Sequence, residues 1–73
     1  MDIYLLRASY GRKIDFEPRK RIADAIWSHD PIPCGWSDAR DLTVFTRGPL
    51  QTNLIAAELR AARMNVVVVS PTA

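Results

Sequence analysis

The sequence has little of several features that define common classes of protein. No uninterrupted apolar run is longer than four residues, as in the valines at 66–69, whereas a membrane-spanning helix needs about 20 apolar residues in a row. Residues 1–9 do not combine a charged segment with a long apolar one, so we expect no secretory signal. The single cysteine, Cys34, excludes an intramolecular disulfide. These absences predict a cytoplasmic protein without a membrane span.

Residues that usually carry catalysis or bind metals are also scarce. His29 and Cys34 are the single histidine and cysteine, and two such residues are too few for a zinc site, which takes about three or four protein ligands. The three glycines are isolated from one another, so no phosphate-binding glycine motif is present. The aspartates lie mostly near expected turns and helix starts, where capping accounts for them. We therefore expect no enzymatic activity, no metal and no cofactor.

The composition is that of an ordinary globular chain. Of its 73 residues, 48% are apolar and 25% are charged, with a net charge of only +2. A chain this short buries about 60% of the surface that its unfolded form exposes, so its core must be compact. The length predicts one domain over residues 1–73.

The first half of the chain predicts a strand, a helix and an irregular segment. Residues 2–9 favour a strand that ends in turn residues, and a helix is expected from Phe16 or Pro18 to Ser28. The prolines, glycine and aspartates of residues 30–41 favour a loop, in which residues 34–37 can form a short strand.

The second half predicts a strand, a helix and a final strand. Asp41–Arg47 alternates in the period of two that is typical of a sheet. Gly48 and Pro49 then begin a helix that we expect to run to Met64, since no helix breaker follows. Asn65 ends it, and the valine run is expected to be a strand covered on both faces.

Two architectures fit this order of elements. If residues 34–37 pair with Asp41–Arg47 as a hairpin, the chain is an α+β split βαβ (ferredoxin-like) fold, βαββαβ, with two helices on one face of an antiparallel sheet. If they remain a loop, the chain is a minimal open βαβαβ unit with three parallel strands. We favour the first, because three parallel strands offer too little area to cover on both faces.

The second helix has more apolar surface than one sheet can easily bury. One stripe, which we expect to face the sheet, consists of Leu50, Leu54, Ala57, Ala61 and Met64. A second stripe includes Ile55 and Leu59. Either the two stripes form one wide apolar face with Gln51 and Glu58 at its edge, or Ile55 and Leu59 meet another chain, which is a second copy or a target protein. Trp27 and Trp36 are candidate anchors in the same interface, because tryptophan is enriched at interface hot spots.

The segment YGRKIDFEPRKR, residues 10–21, concentrates positive charge and is a candidate site for nucleic acid or phosphate. Its candidate contacts are Arg12, Lys13, Arg19 and Lys20. The turn at residues 46–49 adds Thr46 and Arg47 beside the start of a helix, whose free N–H groups favour anions. Tyr4 and Phe45 are candidate stacking residues on an open sheet face. Asp15 and Glu17 interrupt the basic run, and a solvated charged face explains it equally well.

These observations favour a non-enzymatic protein-binding module, such as a small inhibitor or adaptor of the kind that phages and mobile elements encode. Its partner is expected to be a protein with an acidic surface, which the basic segment would attract. Binding of nucleic acid or phosphate groups through residues 7–21 and 46–49 is the alternative. A homodimer is expected if the second apolar stripe pairs with itself.

Overall fold

The computed structural model describes residues 3–32 and 35–69. The elements follow the predicted order and are β1 (Ile3–Ser9), α1 (Phe16–Trp27), β2 (Trp36–Ser37), β3 (Asp41–Arg47), α2 (Gly48–Ala61) and β4 (Asn65–Val69). Cys34, which was expected to begin the short second strand, lies outside the described residues. Neither helix in the described ranges has the length and apolar character needed to cross a membrane.

The four strands form one antiparallel sheet in the order β2-β3-β1-β4. The central pair, β1 and β3, runs in register from Ile3 opposite Arg47 to Ser9 opposite Asp41. β2 pairs with β3 through Trp36 and Ser37, which confirms the predicted hairpin. The fold is therefore the predicted split βαβ (ferredoxin-like) arrangement, and the parallel alternative is wrong because every pairing of these strands is antiparallel.

The core lies between one face of the sheet and the two helices. Alternate residues of β1 and β3 are buried there, as the period of two predicts. α1 contributes Ile26 and α2 contributes Ile55, Ala56 and Leu59. The opposite face of the sheet has no helix over it among the described residues, so it is open.

The buried face of α2 differs from the predicted one. Leu50 and Leu54 are 73% and 44% exposed, whereas Ile55 and Leu59 are fully buried against the sheet. The reason is Thr52, a polar residue that completes the helical spacing of the buried face and is itself buried. Its hydroxyl lies 2.8 Å from the Gly48 carbonyl oxygen and 2.5 Å from the Thr46 hydroxyl, so burying it leaves no polar group unpaired.

α2 also ends earlier than expected, at Ala61 instead of Met64. Arg63 has a φ of 65°, in the left-handed region, and its N–H donates to the Arg60 carbonyl. The Met64 N–H then donates back to the Leu59 carbonyl, which closes the helix end. This turn directs the chain into β4 and brings Met64 into the core.

β4 is not covered on both faces, contrary to the prediction. It pairs with β1 at one end of the strand order, and four of its five residues are exposed. A valine run is typical of a strand buried between two layers of helices, but here both helices lie on the same side of the sheet. The run is therefore an exposed edge strand.

Candidate interaction surfaces

The outer edge of β4, which we call the β4 edge, is the most unusual surface of the described structure. Val67, Val68 and Val69 are 60%, 39% and 42% exposed. Within residues 3–32 and 35–69, no strand pairs with the side of β4 that faces away from β1. The β4 edge therefore presents apolar side chains beside backbone groups that are free to pair with another strand.

The sequence of β4, NVVVV, has none of the devices that usually protect an edge strand. Soluble proteins place lysine, inward-pointing charges, proline or a bulge on such strands, because a flat apolar edge invites pairing with other chains. Residues 65–69 contain no charged residue and no proline, and their pairing with β1 is continuous. An edge strand of this composition is therefore either a binding site or a cause of aggregation.

Three arginines surround the β4 edge, and we call them the basic rim. Arg7 is exposed on the open face of the sheet and lies directly opposite Val67 in the β1–β4 pairing. Arg63 is in the turn that leads into β4. Arg60 is two residues after Glu58, so it projects about 200° further round the helix.

Glu58 marks the flank of α2 that faces α1, because its Oε1 lies 3.7 Å from Nε2 of His29 in the turn after α1. Arg60 therefore lies on the other flank, on the side of β4. Asp41 lines the same concavity as Arg7 and Val67 on the open face, so the positive charge is partly offset there. The three arginines together still leave an excess of positive charge around the β4 edge, which favours an acidic partner.

An apolar row on the open face of the sheet is continuous with the β4 edge. Leu5 lies between Phe45 on β3 and Val69 on β4 in the strand register. Leu5 and Phe45 are half-buried, and neighbouring Ile3 is 40% exposed. A segment paired with β4 would extend the sheet and could place its own apolar side chains beside this row.

Two of the four predicted interface residues are not on the surface. Ile55 and Leu59 are fully buried, so their assignment to an interface is wrong. Trp36 is half-buried and packs against the core. Trp27 is 42% exposed at the end of α1 and remains a candidate contact.

The predicted anion site at residues 46–49 is wrong for the Thr46 side chain. Thr46 is fully buried and its hydroxyl is paired with Thr52. The Arg47 N–H donates to Gln51 Oε1 at 2.6 Å, and the Arg47 guanidinium donates to the Asp30 carbonyl at 3.0 Å. The Arg47 N–H and one of its guanidinium N–H groups are thus occupied by the protein itself.

The basic residues of the segment at 10–21 lie on two elements, the loop after β1 and α1. Arg12 and Lys13 are exposed in the loop after β1, where Arg12 lies over the Tyr10 ring. Arg19 donates from Nε to the Ile14 carbonyl at 3.0 Å and lies over the Phe16 ring, so it supports the start of α1. Lys20 is exposed on α1.

The predicted stacking pair is separated by the sheet itself. Tyr4 lies opposite Thr46 in the register, which puts both on the helix side, whereas Phe45 lies on the open side. Two aromatic residues on opposite faces cannot stack on neighbouring bases of one strand.

The β4 edge was missed by reading the sequence for apolar runs alone. The sequence did contain a signal for it: the strand carries no charge, and no further helix or strand follows it among the described residues.

In the described part of the chain, no three His, Cys, Asp or Glu side chains are grouped as metal ligands. Comparisons with models of protein families, with curated proteins and with solved structures find no match for this chain.

Proposed function

We propose that this chain is a non-enzymatic protein-binding module that pairs the β4 edge with an extended segment of another protein. The observation that supports this proposal is an uncharged apolar edge strand, of which Val67 is 60% exposed. Addition of a strand to an exposed sheet edge is a recurring mode of peptide recognition, in which main-chain hydrogen bonds supply affinity and alternate side chains supply specificity. Such binding suits an inhibitor or an adaptor.

The exposed valines supply an apolar contribution to this binding. Fully burying a valine side chain contributes about 1.5–3 kcal/mol, so covering the exposed part of each residue in β4 contributes about 1 kcal/mol. Ordering an extended segment and losing its translational freedom oppose this gain. We therefore expect binding of a short segment to be weak, and binding of a structured partner that also covers the apolar row to be tighter.

The basic rim indicates what the partner carries. Arg7, Arg60 and Arg63 lie beside the β4 edge on both sides of the sheet, so a bound segment with acidic side chains would be attracted and a basic one repelled. The apolar row on the open face favours apolar residues at alternate positions, because successive side chains of a strand point to opposite faces. The preferred ligand is an extended acidic segment with interspersed apolar residues.

Binding of nucleic acid has less support. Arg19 and Arg47 donate to backbone carbonyls, Thr46 is buried, and Tyr4 and Phe45 lie on opposite faces of the sheet. What remains is a set of exposed cations on separate elements, which is typical of a solvated surface.

A nuclear magnetic resonance titration tests the proposal directly. The probes are a short peptide that alternates valine with glutamate and a matched peptide with lysine in place of glutamate. We expect the glutamate peptide to shift the backbone amide signals of Asn65–Val69 and Arg7 in a saturable way. The lysine peptide should bind at least tenfold more weakly, a difference of about 1.4 kcal/mol.

Two variants serve as controls for this titration. Val67→Glu places on the β4 edge a charge that repels the glutamate peptide and should abolish the shifts, whereas Ser37→Glu places the same charge on β2 and should leave them unchanged. Saturation that is equal for both peptides would remove the role of the basic rim. The absence of saturable shifts in β4 at millimolar glutamate peptide would overturn the proposal.

A further inference from the structure

A second exposed apolar surface lies on the solvent side of α2, away from the sheet. We call it the α2 stripe; its members, Leu50, Leu54, Ala57 and Ala61, are those of the stripe predicted to face the sheet, without Met64, which is buried. All four residues are exposed, and Leu50 is the most exposed large apolar residue in the described structure at 73%. A helix that also buries a full face against the sheet does not need this stripe for its own fold.

The spacing of the α2 stripe is the same in both directions along the helix. The intervals between its residues are four, three and four. When two identical helices pack antiparallel about a two-fold axis at the middle of the stripe, residues equally far from that middle lie at the same level. Leu50 then faces Ala61 of the second copy, and Leu54 faces Ala57 of the second copy.

This pairing matches large residues with small ones. Both leucines are in the first half of the stripe and both alanines are in the second half, so each leucine enters the space above an alanine on the facing helix. Interdigitation of large and small side chains is what lets two helices pack closely. A two-fold contact must be self-complementary, and the α2 stripe satisfies this condition in the antiparallel direction only.

The charges beside the α2 stripe oppose this arrangement weakly on one flank and more strongly on the other. In an antiparallel two-fold pair, like flanks meet, so Arg60 comes nearest to the uncharged Asn53 of the second copy, and the two copies of Arg60 are about 13 Å apart in level at 1.5 Å per residue. On the other flank, the two copies of the partly exposed Glu58 are about 7.5 Å apart in level, which is within the screening length of about 8 Å at physiological salt. Repulsion between the Glu58 carboxylates is therefore expected to weaken the dimer.

We infer that a second copy of this chain packs antiparallel on the α2 stripe to form a two-fold homodimer. Four residues of α2 from each copy make a small interface, so dissociation is expected in the high micromolar range. The α2 stripe faces away from the sheet, so both β4 edges remain free in the dimer. The inference is independent of the function proposed above.

Sedimentation velocity over a range from low to several hundred micromolar protein tests the inference. The natural chain should pass from the mass of one copy to that of two. Leu54→Glu, at an exposed position, should keep the mass of one copy throughout and raise the dissociation constant at least tenfold. Ser37→Glu places the same charge on β2, away from the helix layer, and should leave the transition where it is.

A swap of large and small residues distinguishes specific packing from non-specific apolar association. Ala57→Leu alone puts leucine against leucine and should weaken the dimer, even though it adds apolar surface. Adding Leu54→Ala to it restores one large and one small residue at each level and should recover the dimer. Helix content, followed by circular dichroism, should be unchanged in all variants.

Three results would overturn the inference. One is a mass of one copy at the highest concentration of the natural chain. Another is a dimer strengthened by Ala57→Leu and unaffected by the double change. The third is a dimer that survives Leu54→Glu and is lost in Val67→Glu, which would place the contact at the β4 edge instead.

Discussion

The two edges of the sheet are built in opposite ways. At one edge, β2 has only two residues, and a single bridge from Ile32 to Phe45 covers part of β3 beyond it. The turn that joins β2 to β3 has positive φ at Asp38 and Ala39. At the other edge, the five residues of β4 run straight along β1 with exposed valines.

The difference shows which edge is protected. A very short strand, a strongly turning connection and nearby charged residues all prevent another chain from extending the sheet, and these features are present at the β2 edge. The β4 edge has a regular backbone, apolar side chains and no charge within the strand. The sheet therefore has one protected edge and one edge that is open to pairing.

The largest expected effect is on the free energy of unfolding, which we compare for a residue in the middle of the sheet and a residue on the β4 edge. Leu6→Ala removes a fully buried side chain of β1 and should lower the free energy of unfolding by about 2–5 kcal/mol. Val67→Ala should change it by less than about 0.5 kcal/mol, because the side chain is mostly exposed. Urea unfolding measures both. An equal loss in the two variants would mean that β4 is covered in solution.

The next effect concerns association through the β4 edge. At high protein concentration, Val67→Glu should reduce light scattering from aggregates and should weaken binding of the acidic peptide by at least tenfold, or about 1.4 kcal/mol. Ser37→Glu on the β2 edge is the matched change and should alter neither quantity. Equal effects of the two glutamates would remove the distinction between the edges.

A smaller effect on stability tests which contacts anchor the segment that covers the β2 edge. Gln51 accepts from the Arg47 N–H and donates from Nε2 to the carbonyls of His29 and Asp30, so it ties the segment before Ile32 to α2. Gln51→Ala should lower the free energy of unfolding by about 1 kcal/mol, since these bonds are partly exposed.

The same variant should change local opening at the β2 edge. In hydrogen exchange, the Ile32 amide, which donates to the Phe45 carbonyl, should lose more protection in Gln51→Ala than the amides shared by β1 and β4. The neighbouring exposed change, Asn53→Ala, is the control and should leave Ile32 protected. Uniform loss of protection across the sheet would show that Gln51 acts on global stability alone.

The smallest expected effect is at the turn between β2 and β3. Ala39 has a φ of 56°, a region that costs residues with a Cβ about 1–2 kcal/mol. Ala39→Gly should raise the free energy of unfolding by about 0.5 kcal/mol after the greater freedom of glycine in the unfolded chain is subtracted. Gly48→Ala, at a φ of 80°, should have the opposite sign. Thermal unfolding measures both changes.

Local sequence signals predicted most of the fold. The alternation of Asp41–Arg47, the Gly48–Pro49 start of α2 and the proline-rich segment before β2 each reflect interactions between near neighbours in the chain. Their order allowed two architectures, and the hairpin of β2 with β3 selected the antiparallel one.

The candidate surfaces were predicted less well, because they depend on contacts between distant residues. On α2, two apolar stripes competed for the sheet, and the one with Ile55 and Leu59 is buried, together with Thr52, which pairs with Thr46 on β3. Burial of the polar Thr52 depends on this partner on another element, so the spacing along α2 could not reveal it. The exposed Leu50 and Leu54 are the consequence.

By itself, the sequence determined that this chain has two helices and a sheet, and that one strand is apolar throughout and uncharged. Helices, strands and turns are set by interactions between near neighbours in the chain, so the period of the apolar side chains and the types of turn residue predict them. Only the tertiary structure decided that this strand lies at the sheet edge and that both helices lie on one side of the sheet. Strand order and the choice of face depend on pairing between distant segments, and these made the β4 edge and the α2 stripe surfaces instead of core.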